Sequence, residues 1–316
     1  MNFTLLGRCV AIENAWEEAE PSVLEAQTWL EARLGQHPSI DEPETPVGPV
    51  GPWTLTVRFV ADRPEETGLP NDGCFDASGA SFWIDGNRVT IVDGHNSFDY
   101  QVTEAGAHVV VRGAPFDAYQ TLWSIVSESI GCSGLLCLHA AAVERDGRGV
   151  LFLGPSGRGK STTMMTALMA GWRPVAEDSC FFDPRSRTAF AVDRGVRLLD
   201  PAYALLRVQH GLEVSEAETR AGKLWLPFES LGRPRCDSVV IRDIVLLRRN
   251  LDEPTRWTDA SSSEAAMGLW ESVGIGCLPS FQRLVAGCLT TAVEGLRAHW
   301  LHLGRDPVCF DLLSEA

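Results

Sequence analysis

The stretch LFLGPSGRGKSTTMMTA, residues 151–167, constrains this chain more than any other. Gly154-Pro155-Ser156-Gly157-Arg158-Gly159-Lys160-Ser161 fits G-x-x-x-x-G-K-[ST] at every fixed position, and Thr162 continues it. With glycine at roughly 7% of residues, a chance match in a chain of this size is of order 1%. An apolar run, Val150 to Leu153, enters the motif, and a good helix-forming sequence leaves it. The glycines allow the backbone to curl so that several N–H groups face one anion, and a helix N-terminus adds its positive dipole end there. Lys160 would then reach the β- and γ-phosphates, and the Ser161 hydroxyl would ligate Mg2+. ATP and Mg2+ are therefore the expected cofactors. The loop by itself implies a bound nucleoside triphosphate and leaves its use open.

Composition narrows the class. A length of 316 residues suggests about two domains. A formal charge of −15 argues against broad binding to nucleic acid or anionic membrane, both of which need excess Lys and Arg. The expected partner is a small molecule, a peptide or a small protein. The nine cysteines never form a Cys-x-x-Cys pair, which speaks against structural zinc. No apolar run approaches the ~20 residues needed to span a bilayer, and the N-terminus is unlike a secretory signal. A cytoplasmic protein with reduced cysteines is expected.

Patterning divides the chain in two. Residues 15–34 carry apolar positions at helical spacing, and the Pro-, Gly- and acid-rich segment 35–52 reads as a loop or linker. Short alternating runs follow in WTLTVRFV, ASFWIDGNRVTIVDG and HVVVRG, with a hairpin turn at Asp85-Gly86-Asn87. Residues 1–125 are thus expected to form a β-rich module that packs, dimerises or holds a partner. From about residue 126 to 316 strands and helices alternate. A helix is expected over 116–131, then strands at CLHAAAVER and GVLFLG and a helix from Ser161 to about Ala170, stopped by Gly171. Further strands are expected at RPVAEDSCFF, AFAVDRGVRLL and DIVLLRR, and a long helix from Pro279 to Ala298. The fold class is a layered α/β domain built around the loop.

Two features flank the motif. Glu177 and Asp178 end the strand after the loop helix, where open α/β sheets gather ligand-binding groups. One carboxylate can hold Mg2+ while the other takes a proton from an incoming hydroxyl; the plainer reading is an exposed acidic turn. His139, on the strand before the loop, is either a core histidine or a group beside the γ-phosphate or the acceptor.

Taken together, His139, Gly154 to Ser161 and Glu177-Asp178 resemble the HPr kinase/phosphorylase catalytic domain, which is also similar to the nucleotide domain of phosphoenolpyruvate carboxykinases. The resemblance covers roughly residues 130–250. It implies a P-loop kinase domain that phosphorylates a serine hydroxyl of a protein or peptide with ATP and Mg2+. It also implies Glu177 as proton acceptor, Asp178 as support for the metal, and His139 as an active-site group. Asp193 in VDRGVRL would assist the metal, and Arg194 beside it, with Arg220 and Lys223 in ETRAGKLWLP, would contact the phosphate or substrate and supply charge to the transferring phosphoryl group. Glu177 stands where the family has Asp, and a Gly-Arg-Asn stretch associated with the reverse, phosphate-dependent reaction is absent. The chain is similar in this to the HPr kinase-like enzymes that modify ribosomally made peptides, including lasso-peptide precursors. The resemblance implies a homo-oligomer. A small-molecule hydroxyl kinase and a nucleotide-gated binding or scaffold protein are the alternatives.

Overall fold

A computed structural model describes residues 2–5, 8–14, 21–34, 53–60, 74–77, 80–113, 119–210, 218–220, 223–274, 276–306, 308–310 and 313. The expected linker over 35–52 lies outside the described residues, as do the first turns of the helices expected from 15 and 116. The fold is mixed α/β. The chain separates into two compact units, residues 1–136 with 275–285 and residues 137–274 with 286–316.

In the first unit, β1 (Asn2–Leu5), β2 (Arg8–Asn14), α1 (Pro21–Leu34) and β3 (Thr54–Val60) are followed by five successive strands. These are β4 (Cys74–Ala77), β5 (Ala80–Asp85), β6 (Arg88–Asp93), β7 (Asn96–Thr103) and β8 (Gly106–Arg112), and α2 (Tyr119–Gly131) closes the set. The eight strands form one sheet in the order β1-β2-β3-β8-β7-β6-β5-β4. Asp85 pairs with Arg88, so Gly86-Asn87 is the two-residue turn expected there, and Gly86 takes φ +59°. Alternation is strict on β3, where Leu55, Val57 and Phe59 are buried. On α2, Leu122, Ile125, Val126 and Ile130 form the buried stripe that packs on β7 and β8.

The rest of the chain, which falls in the second unit apart from Leu136 and residues 275–285, carries β9 (Leu136–Leu138), β10 (Ala141–Arg145), β11 (Arg148–Leu153), α3 (Lys160–Met169), β12 (Arg173–Ala176), β13 (Cys180–Asp183), β14 (Thr188–Ala191) and β15 (Gly195–Leu198). After these come α4 (Asp200–His210), β16 (Glu218–Arg220), β17 (Lys223–Pro227), β18 (Ser238–Arg249), β19 (Arg256–Asp259), α5 (Ser262–Val273), α6 (Pro279–Ala292) and β20 (Arg297–Leu303). One sheet runs β12-β10-β11-β18-β14-β13-β9, and β18 also pairs with β20, which pairs with β19; β15, β17 and β16 form a smaller sheet. β11, β18 and β20 are parallel to one another. Met164, Met165 and Leu168 of α3 share a core with Val245 and Leu247 of β18 and Leu301 of β20. Each such side chain contributes about 1.5–3 kcal/mol on burial.

Three stretches expected as strands are each broken in two, and the breaks matter; at RPVAEDSCFF the break falls at Glu177-Asp178, the pair expected to end the strand. CLHAAAVER stops at Leu138 and resumes at Ala141, because the His139 N–H is drawn to the Ser272 carbonyl at the end of α5. RPVAEDSCFF stops at Ala176 and resumes at Cys180, and AFAVDRGVRLL stops at Ala191 and resumes at Gly195. The helix expected to reach Ala298 ends at Ala292; Gly295 turns the chain at φ +72°, and Arg297 starts the strand that pairs with β18. At α3 the expectation holds. Gly171 at φ +98° closes it with bonds from the Gly171 and Trp172 N–H groups to Leu168 and Ala167.

Candidate active site

The glycine loop leaves β11 at Leu153 and becomes α3 at Lys160. Gly154, Gly157 and Gly159 take φ of +151°, +79° and +102°, which side chains strongly disfavour. Gly159 is also crowded, since a Cβ there would lie 2.7 Å from Leu303 Cδ1. Gly159 is the N-cap and among the described residues no side chain caps the helix, so its first-turn N–H groups are open to an anion. Pro155, Ser156, Gly157 and Arg158 are exposed; Ser161 and Thr162 are half-buried.

Lys160 is buried, and its ammonium donates to the carbonyls of Gly154 (2.7 Å) and Pro155 (3.4 Å). Burial lowers its pKa, Asp178 and Glu177 oppose that, and Lys223 is near enough to lower it further. The same ammonium lies 2.9 Å from His139 Nε2. A lysine ammonium has only donors, so Nε2 accepts and the Nδ1–H donates to the Asp178 carbonyl at 3.0 Å. Burial and the Lys160 charge lower the His139 pKa, which fits this neutral tautomer. The side chain is nonetheless 45% exposed, so His139 is not a core histidine.

Glu177 and Asp178 occupy the break between β12 and β13. The Asp193 Oδ2 atom accepts the N–H groups of Glu177 (3.1 Å), Asp178 (2.7 Å) and Ser179 (2.8 Å). One carboxylate oxygen thereby replaces the ladder bonds that a continuous strand would make and fixes the acidic turn. Glu177 is 3% exposed, and its Oε1 accepts the Ser161 hydroxyl at 2.5 Å. Burial first, and the Asp193 charge second, push its pKa up to about 7, against the Ser161 hydrogen bond. The Asp178 side chain is 34% exposed and lies 3.3 Å from His139 Nδ1.

Arg197 was not anticipated. Its Nη2 donates to Asp178 Oδ2 at 2.7 Å, and its Nε lies 3.5 Å from Glu177 Oε2. The signal was present in β15, where Val196 and Leu198 are buried in the core and Arg197 alternates to the opposite face. Arg194 is exposed and meets neither acid among the described residues. Lys223 is exposed at the start of β17, and the Arg220 side chain lies outside the described residues. Among the described residues no group of three His, Cys, Asp or Glu side chains is set to hold a metal unaided. Magnesium that arrives with a nucleotide needs no such cage, because the phosphates and waters complete its shell.

Lys160 and Ser161 on α3, His139 in the first strand break, Glu177 and Asp178 in the second, and Asp193 and Arg197 around the third thus converge at one end of the sheet. The comparisons with known proteins add one similarity. No curated protein matches the chain, and residues 117–194 are similar to a family described as SynChlorMet cassette protein ScmC.

Proposed function

We propose that this chain is an ATP- and Mg2+-dependent kinase of the HPr kinase-like type, transferring the γ-phosphoryl group to a serine hydroxyl of a peptide or small protein, a ribosomally made precursor peptide being the preferred acceptor. The observation that supports it best is Glu177. It is a buried carboxylate with its pKa near 7, hydrogen-bonded to Ser161 at the open N-terminus of the helix that carries Lys160. A general base works best when its pKa lies near the working pH. Mg2+ bound with the nucleotide would neutralise charge on the phosphate oxygens, with Ser161 and Asp178 as its protein ligands and Asp193 holding the turn that carries Asp178.

The loop amides and Lys160 bind the phosphates, and the ammonium exchanges its carbonyl partners for phosphate oxygens. Arg197 and Lys223 offset charge on the phosphoryl group in flight, and the His139 Nδ1–H steadies the Asp178 carbonyl. The serine oxygen bonds to the γ-phosphorus as the bond to the β-phosphate oxygen breaks. The hydroxyl proton passes to Glu177, and ADP leaves. On the same resemblance the enzyme is a cytoplasmic homo-oligomer whose residues 1–125 hold the acceptor or a second copy.

One observation favours exchanged roles for the two acids: Glu177 lies against the Ser161 hydroxyl, while Asp178 is far more open to an incoming acceptor. Transfer from labelled ATP to peptide, protein and metabolite acceptors, measured for Glu177→Gln and Asp178→Asn, tests both readings. If Glu177 is the base, Glu177→Gln keeps nucleotide affinity and loses turnover by ~10²-fold or more, while Asp178→Asn raises the Mg2+ requirement. The opposite pattern assigns the base to Asp178. ATP binding with no transfer to any acceptor refutes the kinase.

A further inference from the structure

The acids mark one side of the glycine loop, and the other side is built as well. Across the sheet the strands run β12-β10-β11-β18, with β20 beyond β18. Glu177 and Asp178 follow β12, so a polyphosphate threaded through the loop with its terminal phosphate toward them directs its nucleoside end toward β18 and β20. Both strands are parallel to β11, and their C-terminal ends emerge at the level of the loop. Leu153 pairs with Leu246, Leu246 with Trp300, and Arg248 with His302; Gly159 abuts Leu303.

Alternation sorts these strand ends into two faces. Val245, Leu247 and Leu301 face the core shared with α3. Leu246 faces Gly268 of α5, and Arg248, Trp300 and His302 fall on that same side. The Arg248 guanidinium lies 4.8 Å over the Trp300 ring, and the His302 ring is 6.3 Å from Trp300, tilted by 40°. Trp300 Nε1 donates to Glu264 Oε1 at 3.0 Å, and His302 Nε2 lies 3.1 Å from Thr258 Oγ1, so both rings are held. Arg248 is exposed, and its charge interacts with that of Glu264, the carboxylate that also accepts from Trp300. Burial, Arg256 and Arg248 keep the His302 pKa low, so this ring is neutral and fit to stack.

We propose that the Arg248–Trp300–His302 tier is the platform on which the base of the nucleotide stacks. The open face of the Arg248 guanidinium meets the base, and Trp300 backs it from behind. The inference rests on the nucleotide reading above and adds to it a determinant for a nucleoside over bare polyphosphate. Planar guanidinium and aromatic groups hold bases by stacking and tolerate changes of base, because every base has a π-face.

Calorimetric titration of the full chain with Mg-ATP and with Mg-tripolyphosphate tests it, together with Trp fluorescence. ATP is expected to bind at least about tenfold more tightly than tripolyphosphate. Arg248→Ala, an exposed change, is expected to remove that advantage and leave tripolyphosphate binding unaltered. ATP is also expected to quench part of the fluorescence in the natural chain and not in Trp300→Phe. Equal affinities for the two ligands, or an equal loss for both in Arg248→Ala, overturn the platform and leave the phosphate loop standing. Binding of neither ligand overturns the nucleotide reading and the platform with it.

Discussion

Asp193→Ala removes the acceptor that holds the acidic turn, and its cost can be worked from the contacts. Three N–H groups, from Glu177, Asp178 and Ser179, converge on one carboxylate oxygen at 2.7–3.1 Å. A hydrogen bond to a charged group contributes about 1.5–3 kcal/mol net. The three share one atom and do not add in full, and water can reach the Asp178 amide, since that residue is half-buried. Relief of the repulsion between Asp193 and Glu177 offsets part of the loss. The net cost is therefore about 2–4 kcal/mol, falling mainly on this turn. Native-state hydrogen exchange reads it directly, and protection of the amides of 177–179 should fall by roughly 30- to 900-fold. Asp193→Asn keeps an oxygen acceptor without the charge, so protection should fall less while the Glu177 carboxyl titrates below its value of about 7. The native Glu177 binds a proton that the unfolded chain has released between its ordinary value of 4.5 and about 7, so stability from this group falls as pH rises through that window. Asp193→Asn narrows the window from above. Unchanged protection at all three amides in Asp193→Ala would show that the turn is held by something else.

Arg197→Ala removes the cation shared by the two acids. Glu177 should then titrate higher, and transfer to the acceptor should slow by ~10²-fold with little change in ATP affinity; equal slowing and loss of ATP affinity would make Arg197 a binding group only. Gly159→Ala forces a side chain into φ +102° beside Leu303, which costs about 1–2 kcal/mol and disturbs the helix N-terminus. Its urea midpoint should drop and its Mg-ATP affinity should weaken together. In the first unit, buried Glu128 accepts the Tyr100 hydroxyl at 2.5 Å and the Leu278 N–H at 2.6 Å. Glu128→Ala leaves both donors buried without that acceptor, at about 2–4 kcal/mol, and thermal unfolding should register it with ATP binding intact. Burial raises the Glu128 pKa, so its carboxyl is retained in neutral form further up the pH scale than an ordinary glutamate.

Elements whose cause is local were legible in the residues. The Gly86-Asn87 turn, the Gly171 stop and the passage from strand to loop to helix at 150–170 each follow from glycines at positive φ or from a short apolar run, and the structure has them. The capping box that starts α5, Ser261 with Glu264, is equally readable as S-x-x-E. What the sequence hid were the causes of the strand breaks, two of which are partners elsewhere in the chain. Ser272 draws His139 out of its strand across 133 positions, and Asp193 gathers the amides of 177–179 across 14 to 16. Alternation in RPVAEDSCFF is compatible with an unbroken strand, so no local pattern distinguishes the two outcomes.

The same long-range causes decide which candidate residues meet. An acid pair on a continuous strand would send its two carboxylates to opposite faces, and only one could reach the loop. Folding the pair into a turn pinned by Asp193 lets Glu177 reach Ser161 while Asp178 reaches His139 and Arg197. Arg197, and not its neighbour Arg194, completes the cluster because β15 restarts at Gly195, which sets the parity of every side chain after it. The breaks in the strands, rather than the strands themselves, therefore gather the chemistry, and a substitution that restored a continuous ladder at 177–179 would disperse the site while leaving each of its residues in the chain.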